Sequence, residues 1–340
     1  MTRRRAWGAV CALALAGALV PIPDWLVERW YSVGLYPVLQ RVLTSASNLV
    51  PFALFDVMWV ATAAVFAAVC YRCIHTAGWR AGALRLGGLT VRAVAVLYLL
   101  FLSTWGLNYR RVPLIDKLAY DPERITAAAA VQLGDDNAAT LNSLYASAHA
   151  STESVTSLAA AFQDAVKSLG ARRPIVPGRP KPTLLGGYFH QVSVAGMTDP
   201  FLLETLIAPD LLDVERPFVI AHEWAHLAGY ADESEANFVA WLTCRRGDAR
   251  ARYSAALALI GYAAPRTALR DALDVGPRID LYAIRYRYSR TNETLRFAAR
   301  QGYDKYLKAN RVERGVESYD AVVQLILGTG LDQNGNPRFR

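Results

Sequence analysis

The chain has 340 residues, of which 53% are hydrophobic, and its mean hydropathy of +0.16 is high for a soluble enzyme. The apolar residues are concentrated in residues 1–107, which predicts a membrane domain followed by a polar domain over residues 108–330. The net charge is +8, but no basic run is interleaved with aromatic residues as in nucleic-acid-binding motifs. We therefore expect no nucleic-acid partner.

Three apolar stretches of the membrane domain predict transmembrane helices. They are residues 6–22, 51–71 and 87–107. The first stretch follows three arginines and could be a signal peptide, but we favour a retained anchor. The loop between the second and third stretches carries three arginines and no acidic residue: Arg72, Arg80 and Arg85. The positive-inside rule places this loop in the cytoplasm, so we expect a multi-pass protein of the cell membrane with an extracytoplasmic C-terminal domain.

The segment 22–50 mixes charged and aromatic side chains, among them Glu28 and Trp30. This mixture predicts an amphipathic segment that lies at the membrane interface, in contact with the lipid bilayer.

The polar domain is predicted to be mostly helical. Helical patterns cover residues 123–133, 137–149 and 153–169, and a last helix is expected at about 318–328. Residues 183–197 favour a short strand or hairpin, because Val192 and Val194 alternate with polar residues. The tail, 331–340, is rich in Gly, Asn and Arg and is expected to fray.

The chemistry of the chain is indicated by one motif, His222-Glu223-Trp224-Ala225-His226. Two histidines four residues apart share a helix face and can bind one metal ion, and the intervening glutamate can act on a water that the metal activates. The helix predicted over 217–228 is otherwise apolar. Burying two histidines and a glutamate is costly unless a metal satisfies them, so we predict a zinc site with Glu223 as catalytic base.

A catalytic zinc usually has three protein ligands, and three acidic residues follow His226 closely. Asp232 and Glu235 fit the N-cap and third position of the next helix, which leaves Glu233 free to bind the metal. We therefore prefer Glu233, while Asp232, at a metzincin-like spacing, and Glu235 stay as alternatives. Asn237, one turn after Glu233, is expected to hydrogen-bond a ligand histidine.

The run Glu233-Ser234-Glu235-Ala236-Asn237 after the histidine motif resembles gluzincin-type peptidases, in which a second helix supplies a glutamate ligand. Over nearly its full length, the chain resembles the membrane family called domain of unknown function 3810. The motifs that carry this resemblance are Val27-Glu28-Arg29, Gly34-Leu35-Tyr36-Pro37, Trp105-Gly106-Leu107-Asn108-Tyr109-Arg110, Tyr306-Leu307-Lys308, Gly315-Val316 and Ser318-Tyr319. The resemblance implies three membrane helices and a zinc-peptidase-like domain, without a particular substrate.

The expected fold is thus mainly α: transmembrane helices followed by a mostly helical, zincin-like α+β domain with a small sheet. The expected activity is zinc-dependent hydrolysis of peptide bonds in a peptide or protein substrate. His190 and Tyr319 are weak candidates for the group that stabilises the oxyanion. The alternatives are a membrane-anchored zinc-binding scaffold without activity, and a zinc hydrolase of non-peptide amides.

Overall fold

The computed structural model describes residues 2–151, 154–263, 272–312 and 321–340, and these ranges form a mainly helical protein with a small three-stranded sheet. The strands are β1 (Pro180–Lys181), β2 (Gly196–Thr198) and β3 (Thr205–Ile207). The helices are α1 (Thr2–Leu19), α2 (Asp24–Leu26), α3 (Tyr36–Asn48), α4 (Leu54–Thr104), α5 (Leu114–Lys117), α6 (Ala127–Ala150), α7 (Val155–Ser168), α8 (Gly186–Val192), α9 (Arg216–Leu227), α10 (Glu233–Arg246), α11 (Ala249–Ala263), α12 (Val275–Ser289), α13 (Glu293–Ala309) and α14 (Val322–Gly328). A π-helical stretch, Val27–Leu35, joins α2 to α3.

Helix α4 is broken at one residue, Gly78, whose φ of 72° is accessible mainly to glycine. The arms on either side turn back on each other. The close approach of Gly82 to Cys73 shows this, since a Cβ at Gly82 would lie 2.6 Å from the carbonyl oxygen of Cys73. The predicted loop 72–86 is therefore wrong, since helix continues on both sides of Gly78. A single glycine makes the reversal, and the flanking arginines do not interrupt either arm.

Both ends of α4 return to the same loop of the polar domain. The carboxylate of Glu204 accepts the backbone N–H of Leu54 (3.1 Å), and the Thr104 hydroxyl donates to the carbonyl of Pro200 (2.8 Å). By length and hydropathy α4 could cross a membrane. Helix α1 and the segment Asp24–Asn48 meet at a bend of 115°, and together they add a second candidate only if they are counted as one broken span. One or two helices of the described chain thus pass this test, where the sequence pattern predicted three spans.

Helix α3 turns its polar side chains into the protein. Gln40 donates to the carbonyl of Val176 (2.7 Å), and Thr44 donates to the carbonyl of Leu203 (3.0 Å). The hydroxyl of Tyr36, at the start of the helix, donates to the carbonyl of Leu227 (3.0 Å) at the end of α9. These bonds attach α3 to the polar domain.

The small sheet has the order β1-β3-β2. Strand β1 runs parallel to β3, with Pro180 opposite Thr205, and β2 runs antiparallel to it, with Met197 opposite Leu206. The strand or hairpin predicted over 183–197 is mostly wrong, because Gly186–Val192 is helical. Val192 is buried at the end of this helix, and Ser193 takes a left-handed conformation (φ 60°) that turns the chain toward β2.

Two other predictions are corrected in the polar domain. The helices expected over 123–133 and 137–149 are one continuous helix, α6, since Gly134 is buried inside it without a break. The tail expected to fray is held by bridges that pair Leu118 with Phe339 and Leu331 with Pro337. The tail is therefore ordered by backbone pairing with the segment before α6, which its composition did not indicate.

Candidate metal centre

Helix α9 carries two histidines, of which His226 is buried and His222 is partly exposed. Its first turn contains Pro217, and its end is followed by Gly229, whose φ is 83°. A side chain at Gly229 would also lie 3.0 Å from the amide oxygen of Asn108, so the turn after the helix requires glycine. One helical turn separates His222 from His226, and their Nε2 atoms lie 3.1 Å apart.

The third side chain at this point is Glu233, the first residue of α10. Its Oε2 lies 3.2 Å from Nε2 of His222 and 3.6 Å from Nε2 of His226. One ligand atom from each of the three residues fits within 4.8 Å of the other two. The three side chains chosen as ligands from the sequence therefore converge on one point.

The neighbouring acidic residues are engaged elsewhere. Asp232 is the N-cap of α10 and accepts the backbone N–H groups of Ser234 (2.8 Å) and Glu235 (3.3 Å). The Glu235 carboxylate accepts the backbone N–H of Leu114 (2.5 Å), where a capping box would have directed it to the N-cap. Neither carboxylate belongs to the group formed by His222, His226 and Glu233.

Two hydrogen bonds orient the histidine rings. Nδ1 of His226 lies 2.7 Å from the carbonyl of Tyr230, and Nδ1 of His222 lies 2.8 Å from the amide oxygen of Asn237. Because a backbone carbonyl can only accept, the Nδ1 of His226 carries a proton, and in the neutral ring Nε2 is the nitrogen with the free lone pair. Acceptors of this kind fix the tautomer and orientation of metal-binding histidines.

The electrostatics of the centre favour a cation. Burial alone would lower the pKa of His226, but the charge of Glu233 outweighs it and raises that pKa to about 9. Burial would likewise raise the pKa of Glu233, but the two histidines hold it well below its usual value. The centre thus stabilises added positive charge, either as a proton or as a metal ion.

The donor set fits a divalent metal. Oε2 of Glu233 is buried and, among the described residues, receives no hydrogen bond of good geometry. A buried carboxylate oxygen without a partner is costly, and a cation between it and the two Nε2 atoms satisfies all three. Two imidazoles and one carboxylate are a common ligand set of catalytic zinc.

Glu223 lies beside the group formed by His222, His226 and Glu233 and faces strand β2. The Thr198 hydroxyl lies 2.8 Å from Oε2 of Glu223 and 2.9 Å from its backbone carbonyl. The strand passes so close that a Cβ at Gly196 would lie 2.7 Å from Oε1 of Glu223. Burial raises the pKa of this carboxyl above its usual value.

Besides Tyr230 and Gly196, sequence reasoning missed several residues that contact the centre. Thr198 binds Glu223, the Tyr303 hydroxyl hydrogen-bonds to Oε1 of Glu233, and the Trp105 indole N–H donates to the carbonyl of His226 (2.9 Å). Trp105 stood in a family-like motif, but nothing in the sequence paired it with the histidines.

Of the two residues considered for oxyanion stabilisation, the structure describes only His190. His190 lies on α8, where its Nδ1 pairs with Asp210 at 2.7 Å. Tyr319 lies outside the described residues.

The comparisons with known proteins agree with the family suggested by the sequence motifs. No curated protein and no solved structure matches the chain. A family model described as "Protein of unknown function (DUF3810)" matches residues 31–327, a range that includes α9, α10 and every residue of the centre. The chain therefore belongs to the DUF3810 family.

Proposed function

We propose that this protein is a membrane-anchored, zinc-dependent metallopeptidase that hydrolyses peptide bonds on the extracytoplasmic side of the membrane. The observation that carries the proposal is the convergence of His222, His226 and Glu233, with Glu223 beside them. A buried three-ligand group with an adjacent carboxylate is the arrangement that catalytic zinc sites use.

Each residue has a separate part in the proposed reaction. A zinc ion held by the three ligands supplies Lewis-acid chemistry that activates water and polarises the scissile carbonyl. Glu223 takes a proton from the attacking water and passes it to the leaving amine. Thr198 holds the Glu223 carboxylate in position, and Asn237 and the Tyr230 carbonyl keep the Nε2 atoms turned inward.

The position of β2 favours a peptide over other amides. In the described part of the chain β2 forms one edge of the sheet, and its residues Gly196 and Thr198 lie against Glu223. An extended peptide that pairs with such an edge brings its backbone carbonyls alongside the strand. The scissile bond would then lie next to the catalytic carboxylate.

The anchor and its direction rest on α4. Each arm of α4 has about 25 residues and spans nearly 40 Å, enough to cross a bilayer core of about 30 Å. The turn at Gly78 is flanked by Arg72, Arg80 and Arg85, so the positive-inside rule favours a cytoplasmic turn. Since both ends of α4 contact the loop that holds Pro200 and Glu204, the metal centre falls on the opposite, extracytoplasmic side.

Metal analysis and peptide cleavage on the same purified full-length protein test the proposal. We expect about one zinc per chain, cleavage of a peptide library that chelation abolishes and zinc restores, and an E223Q variant that keeps zinc but loses cleavage. E233A should lose zinc, whereas the matched D232A variant should retain it.

Two results would overturn the proposal in different ways. Full cleavage by E223Q would exclude Glu223 as the base. If the native protein bound zinc at full occupancy but cleaved no peptide, the result would favour the zinc-binding scaffold. If it cleaved a non-peptide amide instead, such as a cell-wall fragment, the result would favour the non-peptide hydrolase.

A further inference from the structure

Helix α3 is amphipathic, but it buries its polar side chains and exposes its apolar ones. Gln40 and Thr44 on its inner side are fully buried, whereas Val42 on its outer side and Leu49, which directly follows the helix, are 61% and 83% exposed. We call the exposed apolar side the outward face; it consists of Val38 and Val42 with Leu35 and Leu49, the residues directly before and after the helix, and exposed Arg41 and Ser45 border it. A surface helix in water normally places such residues toward the core.

Hydrogen bonds prevent α3 from rotating to bury the outward face. The inner side is attached through Gln40 and Thr44 to the carbonyls of Val176 and Leu203, and the Asn48 amide donates to the carbonyl of Pro177 (3.0 Å). Rotation would break these bonds and leave buried polar groups without partners. The exposure of the apolar side is thus a fixed property of the fold.

The outward face is continuous with apolar surface that a membrane would cover. Four residues after α3 ends, exposed Phe52 leads into α4, on which Val57 and Val60 are also exposed. At the start of the segment Asp24–Asn48, which ends with α3, Trp25 and Trp30 are exposed. Tryptophan side chains favour the interface between lipid and water.

The direction of the segment also fits a membrane surface. Helix α1 packs along the second arm of α4, where Gly17 lies against Leu102. The segment Asp24–Asn48 is bent by 115° from α1, closer to perpendicular than to parallel. If α4 crosses the bilayer, this segment therefore runs nearly along the membrane surface.

We infer that α3 is embedded in the phospholipid bilayer at its surface, with the outward face in contact with the acyl chains and the inner side attached to the polar domain. This inference depends on membrane insertion of α4 but not on metal chemistry. Tyr36 joins the same helix to the end of α9, so the contact also holds the metal centre at a constant height above the lipid.

Spin-label accessibility in lipid nanodiscs tests the inference. Cys11, Cys70, Cys73 and Cys244 are first replaced by alanine in the full-length chain. Single cysteines are then introduced as V42C on the outward face, V60C on the first arm of α4 and A146C on exposed α6, and each is labelled with a nitroxide. The nanodiscs contain phosphatidylethanolamine and phosphatidylglycerol, and the collision rates of each label with oxygen and with a water-soluble nickel chelate are compared.

We expect V42C to favour oxygen as V60C does, with a ratio of oxygen to nickel collisions several-fold above that of A146C. A V42C ratio equal to that of A146C would show an aqueous helix and overturn the inference. Protection of V42C from both reagents would also overturn it, because a protein partner or a second copy would then cover the face. A low ratio at V60C would refute membrane insertion of α4 and the anchor with it, without bearing on zinc binding or cleavage.

Discussion

The indole N–H of Trp105 donates a 2.9 Å hydrogen bond to the backbone carbonyl of His226. Trp105 directly follows the last residue of α4, and His226 is in the last turn of α9. The two rings also pack edge to face, with centroids 6.1 Å apart. The end of the apolar helix α4 therefore supports the helix that carries His222 and His226.

Replacing Trp105 with phenylalanine should lower the stability of the protein. The change removes the hydrogen bond to His226 and part of a buried ring, and should cost roughly 1–3 kcal/mol of unfolding free energy. Thermal unfolding in detergent measures it as a lower Tm. The control is W59F on the exposed side of α4, which should leave the Tm nearly unchanged. An unchanged Tm for W105F would show that this contact does not support α9.

Replacing Asn237 with alanine should weaken metal binding. The variant removes the acceptor that orients His222, and losses of this kind cost about 10–100-fold in metal affinity. Competition with a chromophoric zinc chelator measures the Kd. N237D retains an acceptor oxygen at the same position and should bind zinc about as tightly as the native protein. Equal affinities for N237A and N237D would refute the role assigned to Asn237.

Replacing Gly196 with alanine should impair hydrolysis while zinc stays bound. The new Cβ would lie 2.7 Å from Oε1 of Glu223 and displace its carboxylate from the Thr198 hydroxyl. Because a positioned base contributes about 10²–10⁴-fold, we expect kcat to fall by at least tenfold. The matched control is G187A, where nothing lies within 4 Å of the added Cβ. Similar kcat values for the two variants would argue against a base at Glu223.

Acid should destabilise the protein through Glu28. Both of its carboxylate oxygens bind the Arg111 guanidinium, at 3.0 Å each, and one also binds Lys117. Burial would raise the pKa of Glu28, but the charges of Arg111 and Lys117 outweigh it and hold the pKa below the usual 4.5. Its stabilisation is therefore fully present above pH 4.5 and is lost as the pH falls through the lower pKa of the folded state.

The comparison that checks this prediction is the Tm of the native protein and of E28Q as a function of pH. E28Q should be less stable at neutral pH, and the difference should shrink below pH 4.5. The exposed carboxylate of Glu123 supplies the control, because E123Q should follow the native curve throughout. A constant difference between E28Q and the native protein at all pH values would exclude this linkage.

The sequence was a good guide to structure that depends on local spacing. The turn at Gly229 and the N-cap at Asp232 follow from distances of a few residues along the chain, whereas Glu235 is engaged by the backbone N–H of Leu114, 121 positions away. It was a poor guide where two conformations were locally compatible. Residues 186–192 could form either a strand or a helix. In the fold they form a helix, which buries Phe189 and Val192.

By itself, the sequence determined that His222 and His226 would share a helix face, because helix geometry places residues one turn apart on the same side. It also determined that the longest apolar stretches would lie in the first third of the chain. Only the tertiary structure decided that Trp105, Thr198 and Tyr303 would contact the centre and that α3 would turn its apolar side outward. These contacts join residues as much as 121 positions apart, and their partners are chosen by packing and hydrogen bonding, which no local pattern encodes.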